Sequence, residues 1–354
     1  MMQATITKNH FGYTGSGEAV DLFTLQNTAG GRIQITNFGG IIVSAQLPDR
    51  MQQLAEITLG FDDLTGYLTN PPTFGGIVGR YANRIGFGKF SLAGKTYYLA
   101  KNNGPHHLHG GLDGFHKKVW AAEIVDNNGT KSLQLSYTSP NGEEGYPGNL
   151  DCIVTYTFAE NNELIIDYQA VTDQQTVINL TNHAYFNLKD GGRSYIGEHR
   201  LKINARQLTA IDDTCLPTGE LLSVAETPFD FSDFKPIGKN IQADHLQITF
   251  GNGYDHNFIL EKEADELTVA AEVIEPTSGR TLTVLTTEPG VQLYTANWLD
   301  LEGKNGIHYQ PRSAFCLETQ HFPDAPNRPE FPGTILHPEK PFRSTTIYRF
   351  GIIN

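Results

Sequence analysis

Apolar and polar positions alternate in short bursts along most of this chain. VDLFTLQN, GRIQITN, IIVSAQL, VWAAEIV, SLQLSYT, DCIVTYTF, LIIDYQAV, LTVAAEVI and TLTVLTT are runs of this kind, mostly separated by Gly, Asn, Asp or Pro clusters. Period-two patterning with β-branched and aromatic residues predicts strands. ADELTVAAEVIE resembles a helix in composition, but Leu267, Val269, Ala271 and Val273 recur at every second position, which predicts another strand. Helix is indicated only in FDDLTGYL and in turns near GRYANRI. Strand after strand without a helical crossover predicts an all-β protein, a large antiparallel β-sandwich. No internal repeat, low-complexity tract or charged linker divides the sequence, so residues 1–354 are parsed as one domain.

Composition sharpens this picture in three places. Thirty-six glycines and 18 prolines supply the punctuation that many short strands need. Acidic residues outnumber basic ones by 39 to 26 and the net charge is -13, so no broad basic field exists to attract a nucleic acid. Cys152, Cys215 and Cys316 lie far apart without a CxxC pair, which argues against a disulfide framework or a thiolate metal site and suits a reducing compartment. The N-terminal MMQATITKNHFGYTGSG lacks the basic start and apolar run of a secretory signal, and no stretch approaches the roughly 18 apolar residues of a membrane helix. Together these predict a cytoplasmic protein without membrane or nucleic-acid partners. They leave monomer and homodimer equally open.

Candidate chemistry appears when period two sorts the side chains of TVINLTNHAYFNL, residues 176–188, taken as one strand. Ile178, Leu180, Ala184, Phe186 and Leu188 share a face, interrupted only by Asn182. Asn179, Thr181, His183, Tyr185 and Asn187 share the other. That second face suits the wall of a polar cleft, and equally a wetted outer surface. In SAFCLETQHF, Cys316, Glu318 and Gln320 oppose Phe315 and Leu317; in GVQLYTANW, Gln292, Tyr294 and Trp298 share a side. Aromatic rings beside amides and carboxylates suit a pyranose, which offers a C–H face for stacking and a rim of hydroxyls.

NNGPHHLHGG, residues 102–111, holds three histidines. His107 and His109 form half of a cupin-like metal motif, but Asp113 is the only carboxylate nearby, and no metal is expected. His106 and His107 read as decoration of a turn. His109 is the sugar-contact candidate, because Gly110 and Gly111 would let backbone crowd close to a ligand. Arg80 and Arg84 in GRYANRIGFG would share a face if that segment were helical, although a surface arginine is the commoner outcome.

Taken in order, GRYANRI, GPHHLHGG, KVW, TNHAYFNL, PTGE, TPFDF, GYDHNFIL, PGVQLYTANWL, LETQHFPDAPNRPEFPGTIL and TTIYRF resemble the aldose 1-epimerase (galactose mutarotase) family from about residue 20 to the C-terminus. One departure is His106, where the family more often has asparagine. The resemblance implies the galactose mutarotase-like supersandwich, no metal and no organic cofactor, and a free aldose such as D-galactose or D-glucose as substrate. It implies His183 as general acid and Glu318 as general base. Asn83, Arg84, His109, Asp255 and Gln292 are then substrate-binding or orienting residues.

Such residues fit the reaction, since interconverting anomers requires a base for the C1 hydroxyl proton and an acid for the ring oxygen. Three rivals remain at this stage. A non-catalytic sugar-binding module has no need of the His183 and Glu318 pair. A hexose 6-phosphate epimerase would want an arginine cluster. A metal-dependent β-sandwich enzyme would lose activity to a chelator.

Overall fold

A computed structural model describes residues 5–69, 72–127 and 129–353; residues 1–4 of the N-terminal stretch considered above lie outside it. Three antiparallel sheets carry the architecture. Thr5–Tyr13, Ala19–Gln26, Arg32–Thr36, Ile42–Pro48 and Leu54–Glu56 form a five-stranded meander. A nine-stranded sheet runs Ala121–Asn127, Thr130–Ser139, Leu150–Phe158, Glu163–Thr172, Phe342–Ile352, Arg280–Thr286, Thr268–Ile274, Arg200–Ile203 and Lys235–Pro236. The third sheet, which carries much of the site, is ordered Pro217–Ser223, Ala205–Ile211, Asp255–Leu260, Gly290–Tyr294 and Cys316–Gln320.

The alternating sequence produces alternating burial. Along Leu150–Phe158 every second residue is buried, and Arg280–Thr286 repeats the pattern, as expected where one face packs and the other is wetted. The buried faces meet in one contiguous core that draws Phe23 and Ile33 from the first sheet, Val154, Ile166 and Tyr348 from the second, and Phe258, Leu293 and Leu317 from the third. Fully burying each such side chain stabilises by about 1.5–3 kcal/mol. This is the stacked β-sandwich that the alternation predicts.

Several local expectations change. Leu64–Thr69 is a short helix that begins within FDDLTGYL, but GRYANRI contains none: the two-residue strand Ile77–Val78 precedes it and Arg84–Ile85 closes it. Arg80 and Arg84 therefore share no helical face. ADELTVAAEVIE does form a strand, Thr268–Ile274, yet a bulge between Val269 and Ala271 buries both Ala270 and Ala271 and leaves Leu267 43% exposed. The extra residue shifts which side chains face inward.

The largest change concerns residues 176–188. This segment is not one strand but Thr176–Val177, Thr181–Asn182 and single bridges to Thr58, Tyr81 and Phe315. It threads between the sheets, so its amides donate in turn to Thr334, Arg80, Gly76, Phe315 and Ile57 carbonyls. Both of its faces are buried throughout, and the wetted-surface alternative falls.

Candidate active site

Near the end of the third sheet opens a cleft of about 570 Å³, lined by Asn83, Arg84, Asn103, His109, His183, Tyr185, Asp255, Tyr294, Trp298 and Glu318 among others. Glu318 comes from the edge strand Cys316–Gln320, and its side chain is 2% exposed. His183 arrives from the threading segment, where its N–H donates to the Gly76 carbonyl and its own carbonyl accepts from Gly75. The two reactive groups face each other, with Nε2 of His183 3.5 Å from Oε2 of Glu318. That gap exceeds a good hydrogen bond. His183 Nδ1 and Glu318 Oε2 are buried with no hydrogen-bond partner among the described residues, a costly condition that ligand hydroxyls can relieve.

Neighbours fix the imidazole. His183 stacks on Tyr185 at 5.0 Å and 10°, and meets His109 edge-on at 5.2 Å. The Tyr185 hydroxyl donates to the Pro72 carbonyl at 2.9 Å, which anchors the stack. Local period two thus survives where the long strand does not, since His183 and Tyr185 stay on one side. Burial pushes the His183 pKa down to about 4. It also raises Glu318 well above the usual carboxylate range, helped by the negative charge of Asp255 and opposed by Arg84.

Asp255 opens the strand Asp255–Leu260, and its Oδ1 accepts from Gln292 Nε2 at 2.6 Å. Its Oδ2 lies 3.8 Å from an Arg84 guanidinium nitrogen, while Arg84 Nε donates to Asn103 Oδ1 at 3.2 Å. Asn83 accepts the Arg84 amide on Oδ1 at 2.8 Å and donates its own amide to His109 Nδ1 at 3.2 Å. Its side-chain NH2 remains for the cleft.

Six of the seven candidates from the sequence therefore line one hollow. Gln292 does not: it pairs with Glu318 across the strands but stands behind Asp255 and holds that carboxylate. Asn103, which the sequence reading passed over inside NNGPHHLHGG, lines the cleft and grips Arg84.

His106, His107 and Arg80 have structural tasks instead. His106 and His107 are buried, not turn decoration. His106 Nδ1 accepts the Phe87 amide, so its Nε2–H donates to Thr214 at 2.8 Å; His107 donates from Nδ1 to the Ala100 carbonyl and accepts from the Tyr146 hydroxyl. Arg80 is equally buried, its guanidinium spent on the Pro147, Gly148 and Ser139 carbonyls and the Ser139 hydroxyl. The glycines after His109 admit neighbouring protein rather than ligand. A Cβ at Gly110 would strike the Gly79 carbonyl oxygen, and one at Gly111 the Glu144 carboxylate.

Donor atoms of His109, His183 and Glu318 fall within 4.8 Å of one another, the makings of a metal site. The tautomer of His109 does not fit that use. Its Nδ1 accepts a backbone N–H, so the neutral ring carries its proton on Nε2 and presents a donor, not a lone pair. Burial holds this imidazole well below its ordinary pKa, which keeps it neutral.

Comparison with known proteins gives one answer at every level. Residues 21–349 match the family model described as aldose 1-epimerase. Human galactose mutarotase is 44% identical over 352 residues, 99% of each chain, and the Escherichia coli K12 aldose 1-epimerase is 36% identical over 337 residues, 94% of this chain and 96% of the other. Among solved structures, the galactose 1-epimerase of Lactobacillus acidophilus superposes with a TM-score of 0.87 at 26% identity, covering 99% of this chain and all of that one. The aldose epimerase homologue of C. elegans gives 0.84 at 29%, with the same coverage. Matched along nearly its whole length in sequence and in fold, this chain belongs to the aldose 1-epimerase family of isomerases.

Proposed function

We propose that the cleft opens and recloses the hemiacetal ring of a free aldose such as D-galactose or D-glucose, with His183 and Glu318 exchanging the protons. One observation carries this reading: two groups distant in sequence stand 3.5 Å apart at the buried base of a cleft whose walls otherwise offer sugar-binding donors, acceptors and rings. Neutral His109 Nε2–H, Asn83, Arg84 and Asp255 hold the hydroxyls. Gln292 and Asn103 position Asp255 and Arg84. Charge-assisted hydrogen bonds to Asp255 keep the ring fixed while C1 turns about its bond to C2.

The pair carries one shared proton. In the unliganded cleft, burial works against charge on both groups, pushing the His183 pKa down to about 4 and raising that of Glu318, which favours the proton on the carboxylate. Sugar hydroxyls donating to Glu318 favour its charged form and move that proton to the imidazole. Glu318 then removes the C1 hydroxyl proton as His183 protonates the ring oxygen, and the C1–O5 bond breaks to leave the open aldehyde. After rotation His183 takes back its proton and Glu318 returns one to the new C1 oxygen. No net proton is consumed.

Two of the rival readings lose support. Arg80 is committed to backbone carbonyls, so Arg84 stands without the arginine cluster that a phosphorylated sugar would call for. A merely sugar-binding module has no use for a desolvated acid–base pair. One core spanning all three sheets favours a single domain over residues 1–354, and cleft walls drawn from one chain make a monomer self-sufficient. Three free cysteines, two of them buried, suit the cytoplasm.

Polarimetry of freshly dissolved α-D-galactose tests the mechanism. His183→Ala and Glu318→Gln should each lower kcat by roughly 10²- to 10⁴-fold while circular dichroism stays that of the parent. A Glu318→Gln enzyme that equilibrates the anomers at the parent rate would exclude this carboxylate as the base.

A further inference from the structure

The molecule holds a second cavity, about 700 Å³, that shares no lining residue with the sugar cleft. Its size falls within the range of small-molecule sites. Much of its wall is apolar, supplied by Ile178, Ile259, Phe322, Leu336 and Phe342. Polar groups converge on it around one carboxylate–imidazole pair. Glu288 is 3% exposed, and its Oε2 accepts from His321 Nδ1 at 2.6 Å.

That bond fixes the imidazole. With Nδ1 donating to Glu288, the Nε2 edge of His321 has no hydrogen bond among the described residues, and the ring is 24% exposed where it lines the cavity. Asn179 pins the residue 321 backbone from both sides, accepting its N–H at 3.0 Å and donating to its carbonyl at 3.2 Å. Burial opposes charge on this ring, but the Glu288 carboxylate outweighs it and favours the imidazolium form, in which the Glu288 bond aims Nε2–H into the cavity as a donor. Beside it, Lys262 Nζ is tethered to the Thr286 carbonyl at 2.9 Å, and burial works against its charge, a penalty an incoming anion would offset. Lys340 and Arg343 stand at the rim, opposed by Glu263 and Asp265. In a chain of net charge -13, a cavity where, once His321 and Glu288 are set against each other, Lys262, Lys340 and Arg343 face Glu263 and Asp265 departs from the general field.

We propose that this second cavity is a binding site for a small organic anion with an apolar body, an aromatic or branched carboxylate whose charged end rests on His321 and Lys262. Neither residue touches the cleft, so binding here is separable from anomer exchange.

Fluorine NMR titration of the full chain with para-fluorobenzoate tests the assignment, with para-fluorobenzyl alcohol as the neutral isostere. The expected result is saturable one-to-one binding of the benzoate, undisturbed by D-galactose. The alcohol should bind at least about tenfold more weakly, because the charge-assisted bonds are lost. His321→Gln and Lys262→Met should each weaken benzoate binding severalfold while polarimetric activity on D-galactose confirms that the variants are folded. Equal affinity for alcohol and benzoate, displacement by D-galactose, undiminished binding in both variants, or no saturable binding would each overturn the proposal.

Discussion

Asp255 serves the cleft through its charge as well as its hydrogen bonds. Its negative charge raises the pKa of Glu318, so the proton shared by the pair is held to higher pH than an isolated carboxyl would allow. Activity should fall on the alkaline side as the pair loses that proton, and on the acid side as a second proton reaches His183, whose pKa is about 4. Removing the charge by Asp255→Asn lowers the Glu318 pKa and should move the alkaline limb of the kcat–pH profile toward acid. An unmoved or alkaline-shifted limb would contradict the coupling. How far such residues could be read from sequence depends on what they touch. Period two places His183 and Glu318 on polar faces, whereas Asp255 and a cleft role for Arg84 follow only from the resemblance to the aldose 1-epimerase family. Arg80 was misread because most of its partners are the carbonyls of Pro147, Gly148 and Ser139, and backbone carbonyls leave no mark on composition. Gln292 lay on the polar side as expected, but depth behind Asp255 is a property of the neighbouring strand.

Among the elements, the regular strands were legible and the threading segment was not. Leu150–Phe158 and Arg280–Thr286 each keep one neighbour on either side along most of their length, so alternation maps directly onto burial. Residues 176–188 change partner every few positions, and period two reports sidedness without saying what lies on each side. The His109 loop shows the same limit. Its glycine pair announced a close approach, but the approaching group is the Gly79 carbonyl. Gly110 combines a positive φ of 79° with that contact, whereas Gly94 has a similar φ of 77° and nothing within 4 Å of the added methyl. Gly94→Ala should cost about 1 kcal/mol from backbone strain alone. Gly110→Ala should cost about 2–3 kcal/mol in urea unfolding and raise the KM for D-galactose, because the loop must shift and carry His109 with it. Equal unfolding costs with an unchanged KM would show that the contact relaxes without moving the imidazole.

At the scale of the whole molecule, the buried histidines make stability depend on pH more steeply than net charge alone would suggest. His107, His183 and His199 have pKa values near 4, and His116 and His256 near 3, all held down chiefly by burial. In the unfolded chain each titrates near 6.5. Above that pH these rings are neutral in both states and cost nothing. As pH falls below 6.5 the unfolded chain takes up protons the folded one refuses, and stability drops until the folded values are reached. Each ring contributes up to about 1.4 kcal/mol per pH unit, so five acting together give a slope of several kcal/mol per unit between pH 6 and 4. His321 runs the opposite way: its pKa is raised by Glu288, so its contribution is complete below 6.5 and disappears as pH rises through the folded value. One ring cannot offset five. Urea unfolding at pH 7, 6 and 5 should therefore show a midpoint that falls sharply with acid, and His321→Gln should make the fall begin from a lower plateau without changing its steepness greatly. A midpoint flat from pH 7 to 5 would mean that the interior accepts imidazolium, and the neutral, donor-presenting His109 and the single shared proton of His183 and Glu318 would both have to be abandoned.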